Sequence, residues 1–565
     1  MKKLLFKSIS ILAAVSLTTS CIEETFPEGS TLTSEQVQAT EGALQNMLNA
    51  IPVSMMSSGA VGYAGKYGTH SDFGIGAMHL MTEFMLEDMA TPSNPGYNWF
   101  GQQAMNQHMG RDYIYCGYFW DGYYQWIKGA NDVIALVNEE TASASELFAL
   151  GTAKAYRANF YLDLARLYLP RENDLLPISD AIKELTVPLV TEATTEEDSK
   201  FNKRLPFDEM YSFILKDLGD AEKILKGQAQ VYTTPGINAV YGLMARTYLE
   251  LGSLYAEFPG KGDSNEAYKK AAEYARMLID EGGYSVLTQT QWEDPSNGFN
   301  NGAANNSWIW GLPLASEVAG NLLTFIAHAS TEATWGYAPL THVAINRSLY
   351  HLISDKDFRK HSWLDPEMEN YYAYKFAGSA ADKQAFLNGD PSIGLPPAIS
   401  YQSLKFRPAQ GEVTDYKVGG CADHVMMRIE EMYFIEIEAY AQMGNLPKAR
   451  TLLNDFMKTR ILDGSYDCTA KTGDLEKFIS EMMFQKRVEF WGEGILFYDY
   501  KRLGKGILRG YSGTNEAAVY AFNSDGRSPQ WNIVVTNGEF QYNAGIDSST
   551  NNPDPSGKLV LWNGQ

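Results

Sequence analysis

Apolar residues return every three to four positions in separate blocks along this 565-residue chain, and such a block buries its stripe as an amphipathic helix. The blocks carry their own start signals. Thr33-Ser34-Glu35-Gln36 is a capping box, which predicts a helix to about Ile51. Ser143-Ala144-Ser145-Glu146 is a second box and opens a helix to Tyr168, with Leu147, Leu150, Tyr161, Leu164 and Leu167 available for burial. Pro206 suits a first helical position, and Phe207, Met210, Ile214, Leu218, Ala221 and Leu225 follow at helical spacing.

Two stretches read as helical hairpins. Tyr440-x3-Gly444-x4-Ala449 puts a large residue in one helix, glycine at the turn and a small residue where two axes meet, as in a tetratricopeptide repeat. Tyr241 to Leu278 is a looser version with Ala245, Tyr248, Leu249 and Gly252, then Ala267, Ala271 and Ala275. Between the helices lie irregular stretches, 52–117, 284–342, 365–425 and 510–565, rich in Gly, Asn, Ser, Pro and aromatics. Loops of that length are functional or disordered, and their rings argue for order. The fold class is therefore mainly α: a tetratricopeptide-like helical scaffold with long ordered loops forming a ligand-binding face.

The chain opens with a basic Met1-Lys2-Lys3 and an apolar stretch from Ile9 to Leu17, too short to span a bilayer. This is a secretory signal, residues 1–20. Leu17 to Cys21 resembles the lipobox of bacterial lipoproteins, with Thr18 where a strict lipobox has Leu, so Cys21 is the expected lipid-bearing first residue and a non-lipidated secreted protein the alternative. Residues 21–32 read as the lipidated cysteine and an acidic tether, and 33–565 as the helical domain with its loop-rich insertions. Glu23-Glu24 resembles the signal that sends Bacteroidetes lipoproteins to the cell surface; plain solubility of the tether explains the pair equally well.

With 46 basic against 68 acidic side chains the formal net charge is −22, which opposes the phosphate attraction behind nucleic-acid affinity. Four cysteines cannot staple a chain this long, and no repeated CxxC spacing suits zinc. With Cys21 lipidated, Cys116, Cys421 and Cys468 form an odd set, and at least one is expected to be a buried free thiol. No HExxH, Walker loop, GxSxG elbow or GxGxxG occurs, and Gly74-Ile75-Gly76 lacks a third glycine. Asn297 to Asn306 and Asn523-Ser524-Asp525-Gly526 lack EF-hand spacing and read as turns, so calcium is possible but unsupported and no cofactor is expected. Glu489 and Glu493 stand i, i+4 within the charged run Arg487 to Arg502, a spacing that suits an ion network; a glycosidase pair flanks a bond from separate elements.

Six pieces in order carry a resemblance to the SusD/RagB family of Bacteroidetes outer-membrane nutrient-binding lipoproteins. They are Trp120-x3-Tyr124-x2-Ile127-x3-Asn131, Ala155-Tyr156-Arg157-Ala158-x2-Tyr161, the Tyr211 to Leu225 helix with Asp217-Leu218, Ala245-Arg246-x-Tyr248-Leu249, Arg428-x-Glu430-Glu431-Met432-Tyr433-x4-Glu438-Ala439, and Arg487-Val488-Glu489-Phe490-Trp491-Gly492-Glu493-Gly494 running on to Arg502. Lys486 and Leu496 stand where family members often have Glu and Arg, and the usual closing segments are not recognisable in 530–565, which marks a divergent branch. The resemblance implies a non-enzymatic, lipid-anchored (palmitate-bearing) protein on the outer membrane, facing the exterior, that captures an oligo- or polysaccharide as the lid of a SusC-like TonB-dependent transporter. A peptide-capturing lid of the same architecture is the alternative, and a secreted glycoside hydrolase, for which Glu83 and Asp88 are the nominable carboxylates, a remoter one.

A sugar packs its C–H groups on an aromatic face while neighbouring amides bond its hydroxyls. Aromatics on Asn/Gly loops fit that chemistry: Tyr97, Asn98 and Trp99 in Pro95-Gly96-Tyr97-Asn98-Trp99-Phe100, Trp292 in Gln291-Trp292-Glu293-Asp294-Pro295, and Trp335 with Tyr337 in Thr334-Trp335-Gly336-Tyr337. These six are the expected ligand-binding residues. Trp120, Tyr124 and Trp126 fall at helical spacing and belong to the core, and Trp308 with Trp310 alternates as in a short strand.

Overall fold

The computed structural model describes residues 42–564 except 60, 62–69, 93–97, 297, 369–377 and 393. The expected signal segment, lipid-bearing Cys21, tether and Thr33 capping box, and Tyr97, lie outside the described residues.

The scaffold is helical. Its elements are α1 (Ala43–Met56), α2 (Ile75–Phe84), α3 (Ile114–Ala135), α4 (Ala144–Tyr168), α5 (Phe207–Leu225), α6 (Ile237–Glu257), α7 (Ser264–Glu281), α8 (Ile429–Gln442), α9 (Leu446–Met457), α10 (Leu475–Glu489) and α11 (Leu496–Leu503). Packing follows chain order: α1 lies on α3, α3 on α4, α4 on α5, α5 on α6 and α6 on α7. The next partner of α7 is α8, although residues 282–428 separate them, so the helical layer is continuous in space across a long insertion. This is a tetratricopeptide-like arrangement, in which each unit buries its face on its neighbour.

Local chemistry sets the helix ends. At α4 the Ser143 hydroxyl accepts from the Glu146 N–H and the Glu146 carboxylate accepts from the Ser143 N–H at 2.7 Å, the predicted capping box. Gly444 turns α8 into α9 with φ +80°. Gly252 serves close approach instead: a Cβ there would sit 2.6 Å from the Tyr268 ring, so glycine lets α6 and α7 meet.

Three readings need correction. α1 continues past Ile51 to Met56 with Pro52 inside it, because Met55 and Met56 are buried and their packing outweighs the bond lost at proline. Pro206 caps α5 from the preceding strand, one position earlier than expected. α2 lies inside the stretch read as loop; it is buried on nearly all sides, so it carries no amphipathic period.

The strands are short: β1 (Met89–Ala90), β2 (Leu185–Pro188), β3 (Arg204–Pro206), β4 (Trp308–Leu312), β5 (Ala344–Ile345), β6 (His424–Arg428), β7 (Ile507–Leu508), β8 (Phe522–Ser524) and β9 (Val560–Leu561). All pairings are antiparallel, β1 with β5, β2 with β3, β4 with β6, and β7-β8-β9 in one sheet. Trp308 and Trp310 thus sit in a strand, while Trp120 and Trp126 are buried in the core. Cys116 and Cys468 are buried free thiols, and Cys421 is free and half-buried.

One connected apolar core runs from Leu48 to Leu559. The C-terminal segment returns across the molecule to close it. The Arg509 guanidinium donates to the Leu86 and Ala104 carbonyls, each at 2.7 Å, and to that of Phe84, and the Trp531 indole donates to Met85 O. Among the described residues no helix is long and apolar enough to cross a membrane.

Candidate functional site

The insertion loops bring Trp99 and Tyr337 together from positions far apart in sequence. Their ring centroids lie 5.9 Å apart, edge to face, and His70 packs 4.8 Å from Trp99 and 5.4 Å from Tyr337. The Tyr337 hydroxyl hydrogen-bonds His70 Nδ1, and the Tyr337 N–H donates to Ala327 O at 2.6 Å. Gly336, with φ +83°, makes that approach possible, since a Cβ there would stand 2.7 Å from the Ala327 carbonyl oxygen. Behind the group His328 lies 5.2 Å from Tyr337 and 5.2 Å from Phe100. Burial pulls the His328 imidazole down to about 3, so it is a neutral packing ring.

Trp99 is half-buried, its carbonyl fixed by the Tyr115 hydroxyl at 2.9 Å, and its indole N–H meets no acceptor among the described residues. Asn98 is half-buried; its side-chain oxygen accepts from the Phe100 N–H at 3.1 Å, and its amide nitrogen reaches Thr91 and Tyr520 at 3.4 and 3.5 Å. Asn98 therefore shapes the loop with one end and offers weakly held donors with the other. Trp335 is 9% exposed, lies against Gly420, and also has an indole N–H without an acceptor among the described residues.

Trp292 does not join this group. It is 4% exposed, its N–H donates to Ser362 Oγ at 2.8 Å, and it packs on Phe299 and Phe358 beside the cations of Lys405 and Arg460. The expectation of an open ring there gives way to a core ring whose polar-looking neighbours face the ion network. Tyr337, 4% exposed, supports Trp99 and presents little surface of its own.

The charged run is buried and paired. Glu489 receives Arg359 (2.9 Å), Arg428 (2.8 Å) and Arg460 (2.8 Å), and Glu493 receives Lys405 (2.6 Å) and Arg428 (2.9 Å). Burial pushes the Glu489 carboxyl up, yet Arg460, Arg428 and Arg359 override it and hold it well below the usual carboxylate range. Neither carboxylate borders an open cleft with a partner across it. Of the other nominated pair, Asp88 is held by the Arg487 guanidinium, and Glu83 is sealed in the core, where burial pushes its carboxyl up to about 8. Its Oε1 accepts from the Gly494 N–H at 2.8 Å. These are structural charges.

The asparagine patches act as backbone staples. Asn523 Oδ1 accepts from the N–H groups of Arg509 and Gly510, and Asn300 brackets Arg407 through its N–H and carbonyl. Among the described residues no cluster of three or more His, Cys, Asp or Glu could hold a metal ion.

The motif residues meet one another inside this architecture. Arg157 on α4 forks onto Asp217 on α5 and also donates to Asn131 on α3, Arg502 on α11 onto Glu438 on α8, and Lys486 pairs with Asp499. Residues 71–249 match the family model described as starch-binding associating with outer membrane, and residues 355–554 match that of the SusD family. The chain is a divergent member of the SusD/RagB family. A SusD-like carbohydrate binding protein from Bacteroides vulgatus matches with 19% identity and a TM-score of 0.64 over 90% of this chain and 97% of its own. A SusD superfamily protein from Bacteroides thetaiotaomicron matches with 18% identity and a TM-score of 0.65 over 92% and 100%. Surface glycan-binding protein A from the same species gives 13% and 0.60 over 91% and 98%. No curated protein matches the chain. Members of the SusD family associate in general with the outer-membrane surface. In this member Lys486 keeps its charge paired with Asp499 and Leu496 is buried, so both departures are absorbed by the core. Sequence reasoning missed His70 and His328 as parts of this group, since His70 meets Tyr337 and His328 meets Phe100 across more than 200 positions.

Proposed function

We propose that this chain is a cell-surface glycan-binding lipoprotein, anchored through Cys21, that serves as the capture lid of a TonB-dependent outer-membrane importer. The observation that carries the glycan reading is Trp99: a half-buried ring, rooted through its carbonyl and braced by Tyr337 and His70. A rigidly held ring that keeps part of its surface open suits a sugar, which offers C–H groups to an aromatic face. Asn98 beside it adds an amide whose donors are weakly held. Family membership and the likeness to a SusD-like carbohydrate binding protein support carbohydrate as the ligand class. The charged residues are spent on one another, which supports capture without turnover.

Binding of the purified protein to an arrayed set of glycans and peptides tests the ligand class: saccharide binding that Trp99→Ala removes is expected, and binding of peptides alone would replace the glycan reading. Co-purification of a barrel protein from solubilised outer membranes tests the lid role.

A further inference from the structure

Where α4, α6 and α11 converge, most cations have a carboxylate of their own. Arg166 pairs with Asp163, Arg246 with Glu431, Lys486 with Asp499 and Arg502 with Glu438. Arg171 is served less well. It is 3% exposed, its Nη2 stands 2.9 Å from a Glu257 oxygen that Arg527 also uses at 3.2 Å, and its Nη1 is 3.9 Å from Glu250. None of its three nitrogens makes an aligned hydrogen bond among the described residues. Lys501, 4% exposed, donates to the carbonyls of Arg166 and Leu167 at 2.8 and 2.9 Å. Among the described residues it has no carboxylate in ion-pair range, and burial together with the Arg171 guanidinium works to pull its proton off, so a counter-ion here would restore its charge.

Arg171 and Lys501 border one cavity of about 10 Å³, together with Arg166, Arg502, Glu250 and Tyr498. A second cavity of about 30 Å³ shares the last four of these residues. The cavity that Arg171 and Lys501 both border admits one water-sized species and no polyatomic oxyanion, and the larger one touches neither of them. We propose that the cavity bordered by both Arg171 and Lys501 forms a binding site for a single halide ion, chloride in ordinary media, held by the guanidinium of Arg171 and the ammonium of Lys501. A guanidinium keeps its protons at any working pH, so its buried donors call for acceptors whatever the conditions. A water molecule would accept two of these bonds and leave the surplus charge as it was; a monoanion accepts them all and balances Lys501. The ion fastens the end of α4 and the Arg171 turn to α11. The site is independent of the reading of the aromatic face.

The test is thermal unfolding of the full mature protein in sodium chloride, bromide and gluconate at equal ionic strength and pH. Chloride and bromide are expected to raise the midpoint above gluconate by about 2 °C at a hundredfold excess over their dissociation constant, saturating as one site. Lys501→Met is expected to abolish the difference. Should that variant fail to fold, bromide-soaked crystals of the natural protein decide: an anomalous peak between Arg171 and Lys501 supports the site. Equal midpoints in all three salts, or bromide-soaked crystals without such a peak, overturn it.

Discussion

Arg246 on α6 grips Glu431 on α8 through two parallel hydrogen bonds, Nε and Nη2 each 2.6 Å from a carboxylate oxygen. Both side chains are 8% exposed, and the pair ties together helices that lie almost 200 positions apart in the chain. Arg246 also donates to Met426 O at 2.7 Å, so one side chain fixes α8 and the strand that precedes it. Breaking one side of a buried pair leaves the other charge without compensation, at a cost of about 3–5 kcal/mol. Glu431→Ala is expected to lose that much in urea unfolding, and a loss below about 1 kcal/mol would show the pair to be peripheral.

Glu493→Ala uncovers Lys405 and Arg428 together. A loss of about 3–5 kcal/mol is expected. Ligand affinity per folded molecule should stay within about twofold of the natural protein. A stable variant that no longer binds would move the site into the charged cluster.

The two tryptophans predicted as equals should now behave as opposites. Trp99→Ala is expected to lose about thirtyfold in affinity for the captured glycan, as an interface hot spot of about 2 kcal/mol does, with an unchanged circular dichroism spectrum. Trp292→Ala is expected to lose about 3–5 kcal/mol of stability as a core cavity and to keep its affinity wherever it folds. Calorimetry beside urea unfolding separates the two; normal glycan binding by Trp99→Ala would place the binding face elsewhere.

Protonation of Glu83 makes stability depend on pH. Burial raises its carboxyl from 4.5 to about 8 in the folded protein, so the native state holds a proton that the unfolded chain releases. Its contribution is whole below about pH 4.5, falls as pH rises, and is lost above about pH 8, with a slope of up to about 1.4 kcal/mol per pH unit. Glu516, pushed up to about 7 by burial, acts in the same direction over a narrower window. Glu83→Gln keeps an acceptor for the Gly494 N–H and should flatten the decline of unfolding free energy between pH 5 and 8. An undiminished slope in that variant would assign the effect to other groups.

Cys21→Ala is expected to move the protein from the membrane fraction to the soluble one, since two acyl chains together give stable retention at about 0.8 kcal/mol per buried methylene. Unchanged fractionation would refute the anchor.

The amphipathic scaffold was legible because helices such as α5 and α7 bury one side only, which leaves a readable period. The family motifs were legible for a related reason: Arg157, Arg246, Glu438 and Arg502 are partners inside the helical layer, and such pairs tolerate few substitutes. α2 was not legible, since a helix wrapped by the protein shows no polar side. Nor was the fate of Trp292, whose neighbours Glu293 and Asp294 suggest solvent, whereas Glu293 hydrogen-bonds His361 at 2.7 Å. The meeting of Trp99, Tyr337 and His70 depends on loops that touch only after the scaffold has formed, and nothing local to any of them announces it.

The hold of Arg509 on Phe84, Leu86 and Ala104 bears on the order of folding. A chain made from its N-terminus has completed its helical layer through α8 and α9 before Arg509 leaves the ribosome, and until then the backbone on both sides of Trp99 lacks its clamp. The aromatic pocket is therefore the last part to set, joined across more than 400 positions, a long closure and a slow one. Chains cut short before Arg509 would keep much of their helix content while their capture surface stayed unformed, so antibodies against the scaffold would score as intact a protein that cannot bind.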